Sequence, residues 1–335
     1  MNTSIRAVIE GIGSYVPSKR VSNEDLAKIV DTSDEWIYSH TGIKNRHIAS
    51  ESESTSDLAV EAAKQALVNA NCSPTEIDLI LVATATPDYL GFPSTACLVQ
   101  DKLEATNAAA MDIVAACTGF IYGIETARAF IESGTYRKVL VIGAETLSKI
   151  TNWKDRNTCV LFGDGAGAAV VGAETFPKPD AKRGIIASYL AAEGKDAEVL
   201  LRPAGGTKVP FIPGQTSVEE LFLKMNGRRV YTFAVHVLGK TIETLLEKTG
   251  LSLQEVRYVV PHQANVRIIE ACAKRLEIPM EKFFLNIDEF ANTSAASIPI
   301  ALTDMEAQGL LHKGDLLVTV GFGGGLTYGG NILYW

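Results

Sequence analysis

Cys117 closes an apolar stretch and opens a helix-like one, in Asp112-Ile113-Val114-Ala115-Ala116-Cys117-Thr118-Gly119-Phe120. A cysteine so placed sits at or near a helix N-terminus. There the backbone N–H groups and the helix dipole favour negative charge and lower a thiol pKa. Ala115, Ala116 and Gly119 leave room for a substrate to reach the sulfur. The same segment equally suits a buried cysteine among small residues. His262, in Val259-Val260-Pro261-His262-Gln263-Ala264-Asn265, stands between a strand-like and a helix-like run. Open α/β sheets bind ligands at such strand ends, where an imidazole can donate a hydrogen bond or shuttle a proton. It could instead bridge loop carbonyls. Asn292, in Phe290-Ala291-Asn292-Thr293-Ser294-Ala295-Ala296-Ser297, suits a helix N-cap and could also donate to an oxyanion. Gly321-Phe322-Gly323-Gly324-Gly325 follows a strand-like run. Its backbone N–H groups can approach a ligand closely, and one paired with that of Cys117 would make an oxyanion hole; a tight structural turn is the other reading.

Two glycine runs fail as phosphate loops. Gly11-Ile12-Gly13-Ser14-Tyr15-Val16 lacks a third glycine, and Gly163-Asp164-Gly165-Ala166-Gly167-Ala168 runs into Ala169-Val170-Val171, which reads as strand rather than helix.

The elements that would hold these residues alternate between strand and helix, the pattern of an α/β layer fold. Apolar runs predict strands at 77–83, 138–143, 166–172, 256–260 and 316–320. Helical spacing predicts helices at 59–71, 119–133, 230–249 and 264–276, the third ending at Gly250. Residues 184–201 fit neither pattern well. Glu76–Val82 and Glu255–Val260 are similar runs, each before a polar turn and a helix. Gly134 and Gly309 each precede a later strand and glycine. The spacing hints at an internally duplicated fold.

The 335 residues, 47% hydrophobic and 21% charged, give an ordinary globular composition. That length fits one large domain or two packed halves. A net charge of −8 argues against general nucleic-acid binding, though not against a local basic patch. No apolar run approaches the roughly 20 residues that span a bilayer, and Met1–Glu10 has no signal-peptide pattern, so a cytoplasmic protein is expected. The five cysteines, at 72, 97, 117, 159 and 272, show no C-x-x-C spacing. Neither a disulfide framework nor a metal site is expected, and at least four should be small buried hydrophobes.

Taken together, Cys117 in Ala-Ala-Cys-Thr-Gly-Phe, His262 in Pro-His-Gln-Ala-Asn, Asn292 in Ala-Asn-Thr-Ser-Ala-Ala-Ser, the Gly163 stretch and the terminal Gly-Phe-Gly-Gly-Gly resemble the β-ketoacyl-acyl carrier protein synthase III family. The motifs run in the family's order from Ile9 to the C-terminus. The resemblance implies a thiolase-like five-layer αβαβα sandwich, usually a homodimer. It implies two similar α/β halves, 1–177 with the nucleophile and 178–335 with His and Asn. It also implies the reaction. Cys117 would take an acyl group from acyl-CoA, acetyl-CoA first among candidates. Malonyl-acyl carrier protein would then lose CO2 and attack the acyl-cysteine, giving 3-oxoacyl-acyl carrier protein. Both thioesters are substrates, and no cofactor is expected. His262 and Asn292 would stabilise the enolate, and the N–H groups of Cys117 and Gly324 the oxyanions.

By the same resemblance, Trp36 and Arg156 would hold the CoA adenine and Asn265 the pantetheine arm. Phe162 and Phe322 would line the acyl pocket, and Phe92 would reach into that of a partner copy. Gln263, Arg267, Lys274 and Arg275 would form the docking region for the acidic carrier protein; the three basic residues, spaced to share one helix face, could equally be a solvated face. His40 departs from the arginine many members carry near the CoA phosphates, and residues 195–223 are longer than in the shortest members. Both leave donor choice open. Secondary-metabolite ketosynthases of the alkylquinolone type share the catalytic residues. Thiolases need a second cysteine near the terminal glycines, where Phe322 stands, and elongating ketosynthases pair two histidines. A non-enzymatic acyl or CoA carrier would need no reactive cysteine.

Overall fold

The computed structural model describes residues 4–176 and 182–335. Strands β1 (Ser4–Tyr15), β2 (Leu79–Ala83), β3 (Ala109–Ile113), β4 (Lys138–Glu145) and β5 (Gly165–Phe176) form one sheet in the order β1-β5-β4-β2-β3. Strands β6 (Gly184–Ala192), β7 (Tyr258–Pro261), β8 (Leu316–Gly323) and β9 (Thr327–Tyr334) form a second in the order β6-β9-β8-β7. Pairing senses repeat. β1–β5 and β5–β4 are antiparallel and β4–β2 parallel; β6–β9 and β9–β8 are antiparallel and β8–β7 parallel. Even the place of β3 has an echo, a parallel bridge from Val259 to Phe283. The boundary expected at 177/178 lies outside the described residues.

Helices α1 (Asp34–Thr41), α2 (Thr55–Asn69), α3 (Thr95–Lys102), α4 (Gly119–Glu132), α5 (Gly227–Thr249), α6 (Val266–Leu276) and α7 (Ser297–Ala307) complete the main framework. The strands are uninterrupted apolar runs because both faces are covered. Leu79 and Leu81 of β2 face α4 and α7, whereas Ile80 and Val82 face α2 and α3. In the second sheet Leu317 faces α7 and α4, and Val318 and Val320 face α5 and α6. The result is the expected five layers, with α4 and α7 between the sheets and helices on both outer faces. Pro299 near the start of α7 meets no helical donor requirement, and nearly every residue from Ser297 to Met305 is buried.

Four strands escape the apolar-run reading. β1 and β9 are interrupted by Gly11, Gly13, Gly329 and Gly330, β3 is short and partly exposed, and β6 is half-buried over most of its length. The two rejected glycine runs lie in β1 and at the entry to β5, neither before a helix.

One close approach joins the halves. A Cβ on Gly143 of β4 would lie 2.2 Å from the carbonyl oxygen of Ala295 and 2.6 Å from its carbon, both rigid backbone. Gly143→Ala is therefore expected to cost about 1–3 kcal/mol of stability through overpacking. Urea denaturation measures it, and an unchanged midpoint would contradict the contact.

Candidate active site

Cys117 lies in a single tight turn, Ala116–Thr118, between β3 and α4. Ser294–Ala296 forms the same turn between the second-half segment at Phe283 and α7. Ala116 and Ser294, the first residue of each, have φ of 44° and 50°. Left-handed backbone at a residue with a side chain costs ~1–3 kcal/mol and persists where surrounding packing holds it. The two turns abut, so the duplicated fold sets the nucleophile of one half against the Asn292–Ser297 loop of the other.

β8 supplies the third wall. A Cβ on Gly323 would stand 2.7 Å from the backbone nitrogen of Cys117, and one on Gly321 3.2 Å from the Cβ of His262. Only a strand bare at both positions fits between them. Gly324 follows, its missing Cβ 3.5 Å from that of Ala116. His262 continues β7, with its N–H donating to Val320 O at 2.7 Å.

A cavity of about 660 Å³ joins these parts. Its lining passes from exposed residues, among them His40, Asn226 and Arg228, to buried Cys117, His262 and Phe322. Asn292 and Phe162 line it too, as do Trp36 and Asn265. Phe322 meets the His262 ring edge-on, with centroids 5.6 Å apart. The trio chosen from sequence thus shares one channel.

Hydrogen bonds orient both polar partners. His262 Nδ1 lies 2.7 Å from Ser297 Oγ, and that oxygen accepts from Gln263 N–H at 3.4 Å. With the Ser297 hydroxyl donating to Nδ1, the imidazole hydrogen stands on Nε2 as a donor. Asn292 Oδ1 accepts from Ser294 N–H at 2.9 Å, so its amide N–H groups remain free to donate. The capping role and the donor role expected for Asn292 are served by opposite ends of one amide.

Charge tells a different story from the one expected at Cys117. Burial pushes its thiol up to about 12; bonds from the Ser294 hydroxyl and from its own N–H oppose this, and the carboxyl of Glu145 reinforces it. The turn's N–H groups do not outweigh desolvation, so the resting residue is a thiol rather than a thiolate. Burial also pushes His262 down to about 3, which keeps it neutral.

The outer binding residues divide. Arg156 lies over the Trp36 ring at 4.8 Å, as a pair, and donates to Asp31 O at 3.1 Å. His40 stacks on the same ring at 4.6 Å and lines the cavity. Asn265 caps α6 through Arg267 N–H and donates to His40 O at 2.9 Å. Phe92 is 89% exposed and does not line the cavity of its own chain. Gln263 corrects an expectation. It is 1% exposed, and its amide donates to Pro261 O and Phe284 O and accepts from Asn286 N–H, so it braces β7 and offers no docking surface. Arg267 and Lys274 are exposed on α6, but Arg275 turns onto α5, bonded to His236 O and Glu243. Four of the five cysteines are buried as expected, Cys72, Cys117, Cys159 and Cys272, and Cys97 is exposed on α3. Among the described residues no cluster of three His, Cys, Asp or Glu could hold a metal, and no helix is long and apolar enough to cross a membrane.

Sequence reasoning missed Ser297, Glu145 and the wall formed by Leu200, Met225 and Tyr231. Glu145 carried one signal, a carboxylate ending the apolar run of β4.

Comparison with known proteins agrees with this geometry. A family model described as 3-oxoacyl-[acyl-carrier-protein (ACP)] synthase III matches residues 111–194, and one for the C-terminal part of that synthase matches residues 246–335. The β-ketoacyl-[acyl-carrier-protein] synthase III of Caldanaerobacter subterraneus subsp. tengcongensis is 52% identical over 335 residues, covering 100% of this chain and 99% of that protein. Its counterpart from Clostridium acetobutylicum is 50% identical over 327 residues, 98% of each chain. The crystal structure of 3-oxoacyl-[acyl-carrier-protein] synthase III from Aquifex aeolicus VF5 superposes with a TM-score of 0.89 at 48% identity, covering 98% of this chain and 100% of that one. With Cys117, His262 and Asn292 lining one channel of a duplicated αβαβα sandwich, and with relatives this similar along its whole length, the chain belongs to the 3-oxoacyl-[acyl-carrier-protein] synthase III family.

Proposed function

We propose that this chain catalyses the decarboxylative condensation of an acyl-CoA, acetyl-CoA first, with malonyl-acyl carrier protein, the step that starts fatty-acid synthesis. The observation that carries this reading is the convergence of one thiol and two neutral hydrogen-bond donors on a channel of about 660 Å³. Cys117 attacks the acyl thioester and retains the acyl group as CoA leaves. Covalent capture divides one difficult transfer into two steps. The malonyl group then loses CO2. Negative charge develops on its thioester oxygen, where His262 Nε2–H and the Asn292 amide donate, and the enolate carbon attacks the acyl-cysteine. Neither donor needs to be a base. The Cys117 N–H and a neighbouring N–H, that of Gly324, receive the tetrahedral oxyanions.

Trp36, Arg156 and Asn265 hold the CoA along the exposed part of the channel, and Phe162 and Phe322 bound the acyl chain. A second copy of the chain belongs in this reading. β3 is the free edge of its sheet, Val114 beside it is 82% exposed, and Phe92 is 89% exposed, features that suit a partner contact.

Mass spectrometry of the protein after incubation with a panel of acyl-CoAs tests the reading. One acyl adduct on Cys117, discharged as 3-oxoacyl-acyl carrier protein when malonyl-acyl carrier protein is added, supports it. An adduct that malonyl-acyl carrier protein cannot discharge, or none at all, overturns it.

Docking of the acidic carrier protein falls to exposed Arg267 and Lys274 on α6, with Arg267 anchored by its Nε–H to Ser39 O at 3.0 Å. Arg267→Glu should raise the KM for malonyl-acyl carrier protein about tenfold while changing that for acyl-CoA less than about twofold. Steady-state kinetics with each substrate varied check it. Equal changes in both would move the docking surface elsewhere.

A further inference from the structure

Arg46 is a buried charge that the condensation as written does not use. It is 0% exposed, in the strand segment Asn45–Ile48. Its Nη2–H donates to Val160 O at 2.9 Å, and its Nη1–H donates to Asn23 Oδ1 at 2.8 Å and to Val21 O at 3.4 Å. Among the described residues its Nε–H has no partner, and no carboxylate bonds to the guanidinium. Burial lowers its pKa to about 10, so it is a cation at neutral pH. A buried cation with no anion beside it is a costly way to fill space, which an apolar side chain would fill better.

Its acceptors lead to the two elements that carry the CoA residues. Val160 directly follows Arg156–Cys159, the short helical turn that presents Arg156, and lines the channel itself. Asn23, 1% exposed, passes the link to α1: its Nδ2–H groups donate to Asp34 Oδ1 at 2.8 Å and to Ile43 O at 2.7 Å. Asp34 opens α1 and Ile43 lies just beyond its end, so the helix bearing Trp36 is tied at both ends. Among the described residues no backbone hydrogen bond joins α1 to Arg156–Cys159. The two share a small apolar cluster that includes Leu26, Ile37, Cys159 and Val160. Apolar contact is non-directional and leaves one element free to slide along the other. A rigid planar fork of five donors fixes them.

We propose that Arg46 is the positioning residue that holds Trp36 and Arg156 at the separation needed to grip the nucleotide end of CoA. The inference rests on the CoA-binding reading above and deepens it. Arg46 touches no substrate; it acts through Val160 on one side and through Asn23 on the other. Its loss lets the two elements shift, which opens the 4.8 Å contact between the Arg156 guanidinium and the Trp36 ring. Only a donor that carries a nucleotide then suffers, because the pantetheine arm and the acyl group meet other residues, Asn265, Phe162 and Phe322.

Steady-state kinetics of Arg46→Lys test this, with acetyl-CoA and with S-acetyl-pantetheine, which has no nucleotide. Lysine keeps the charge and removes the fork. The KM for acetyl-CoA should rise about tenfold, within what misplacing a binding group costs. Its kcat should change less than about twofold, the pattern of lost uniform binding. The KM for S-acetyl-pantetheine should change less than about twofold. Trp36→Ala should itself raise the acetyl-CoA KM, and adding Arg46→Lys to it should have less than about twofold further effect, since the grip is already gone. Equal losses with both donors, or an undiminished Arg46→Lys effect in the Trp36→Ala background, overturn the inference in favour of a general structural role. Native acetyl-CoA kinetics in folded Arg46→Lys protein overturn it as well. Should Arg46→Lys fail to fold, Asp34→Ala, at an exposed position, breaks the tie to α1 alone and decides by the same comparisons. A native protein that forms no acyl adduct sinks the condensing reading, and this inference with it. A native adduct and an intact Trp36→Ala effect, with unaltered Arg46→Lys protein, sink only the positioning role.

Discussion

Cys117→Ala protein incubated with acetyl-CoA shows no added acyl mass, and its condensation rate falls at least about 10⁴-fold, the scale on which loss of a catalytic nucleophile acts. No other thiol can take over. Cys72, Cys159 and Cys272 are buried, and burial raises the pKa of each. Cys97 is exposed on α3 but does not line the channel. Decarboxylation of malonyl-acyl carrier protein should survive, since His262 and Asn292 remain, so carbon dioxide release becomes uncoupled from condensation. The variant's fold should also survive, because alanine fits among Ala115, Ala116 and Gly323. Intact-mass spectrometry reads the first outcome, and release of labelled carbon dioxide the second. An acyl adduct on the variant would end the assignment of the nucleophile.

The second large effect is expected at the donors. Removing either His262 or Asn292 should cost about 10²–10³ in the decarboxylation rate, the usual loss for one oxyanion donor. Acyl transfer should fall by less than about tenfold, because its oxyanion is received by backbone N–H groups. Asn292→Asp separates donation from mere shape. It preserves the acceptor for Ser294 N–H but replaces the donor with a second acceptor, so the loss should match that of Asn292→Ala. The pH dependence follows from the direction of the His262 shift. Burial pushes the imidazole down to about 3, so it is neutral well above that value and charges only in strong acid. Decarboxylation should therefore show no limb near the ordinary histidine value of roughly 6.5. Such a limb, or equal damage to decarboxylation and acyl transfer in both variants, would argue against neutral donors to an enolate.

Much of this was legible in the amino-acid sequence because it is local. Val139–Ile142 and Leu316–Val320 read as strands since each is covered on both faces and must be apolar throughout. The long helix ends at Gly250 because a left-handed cap there, with φ of 67°, favours glycine. Boundaries drifted by a few residues, as at Thr55, where a polar first turn precedes the apolar stripe. β9 was missed for the opposite reason: Gly329 and Gly330 let neighbouring backbone approach, which removes the side chains that would mark a strand.

Motif context determined the chemical types of the site: a cysteine in a small-residue turn before a helix, a histidine after a strand and an asparagine before a second turn. What the tertiary structure alone decided is electrostatic. Whether Cys117 rests as a thiol, whether Gln263 meets solvent and whether Glu145 faces anything depend on how much water the packed segments around each exclude. That quantity is set by residues from other segments, such as Phe284 against Gln263 and Thr86 against Glu145, and spacing along one segment does not encode it.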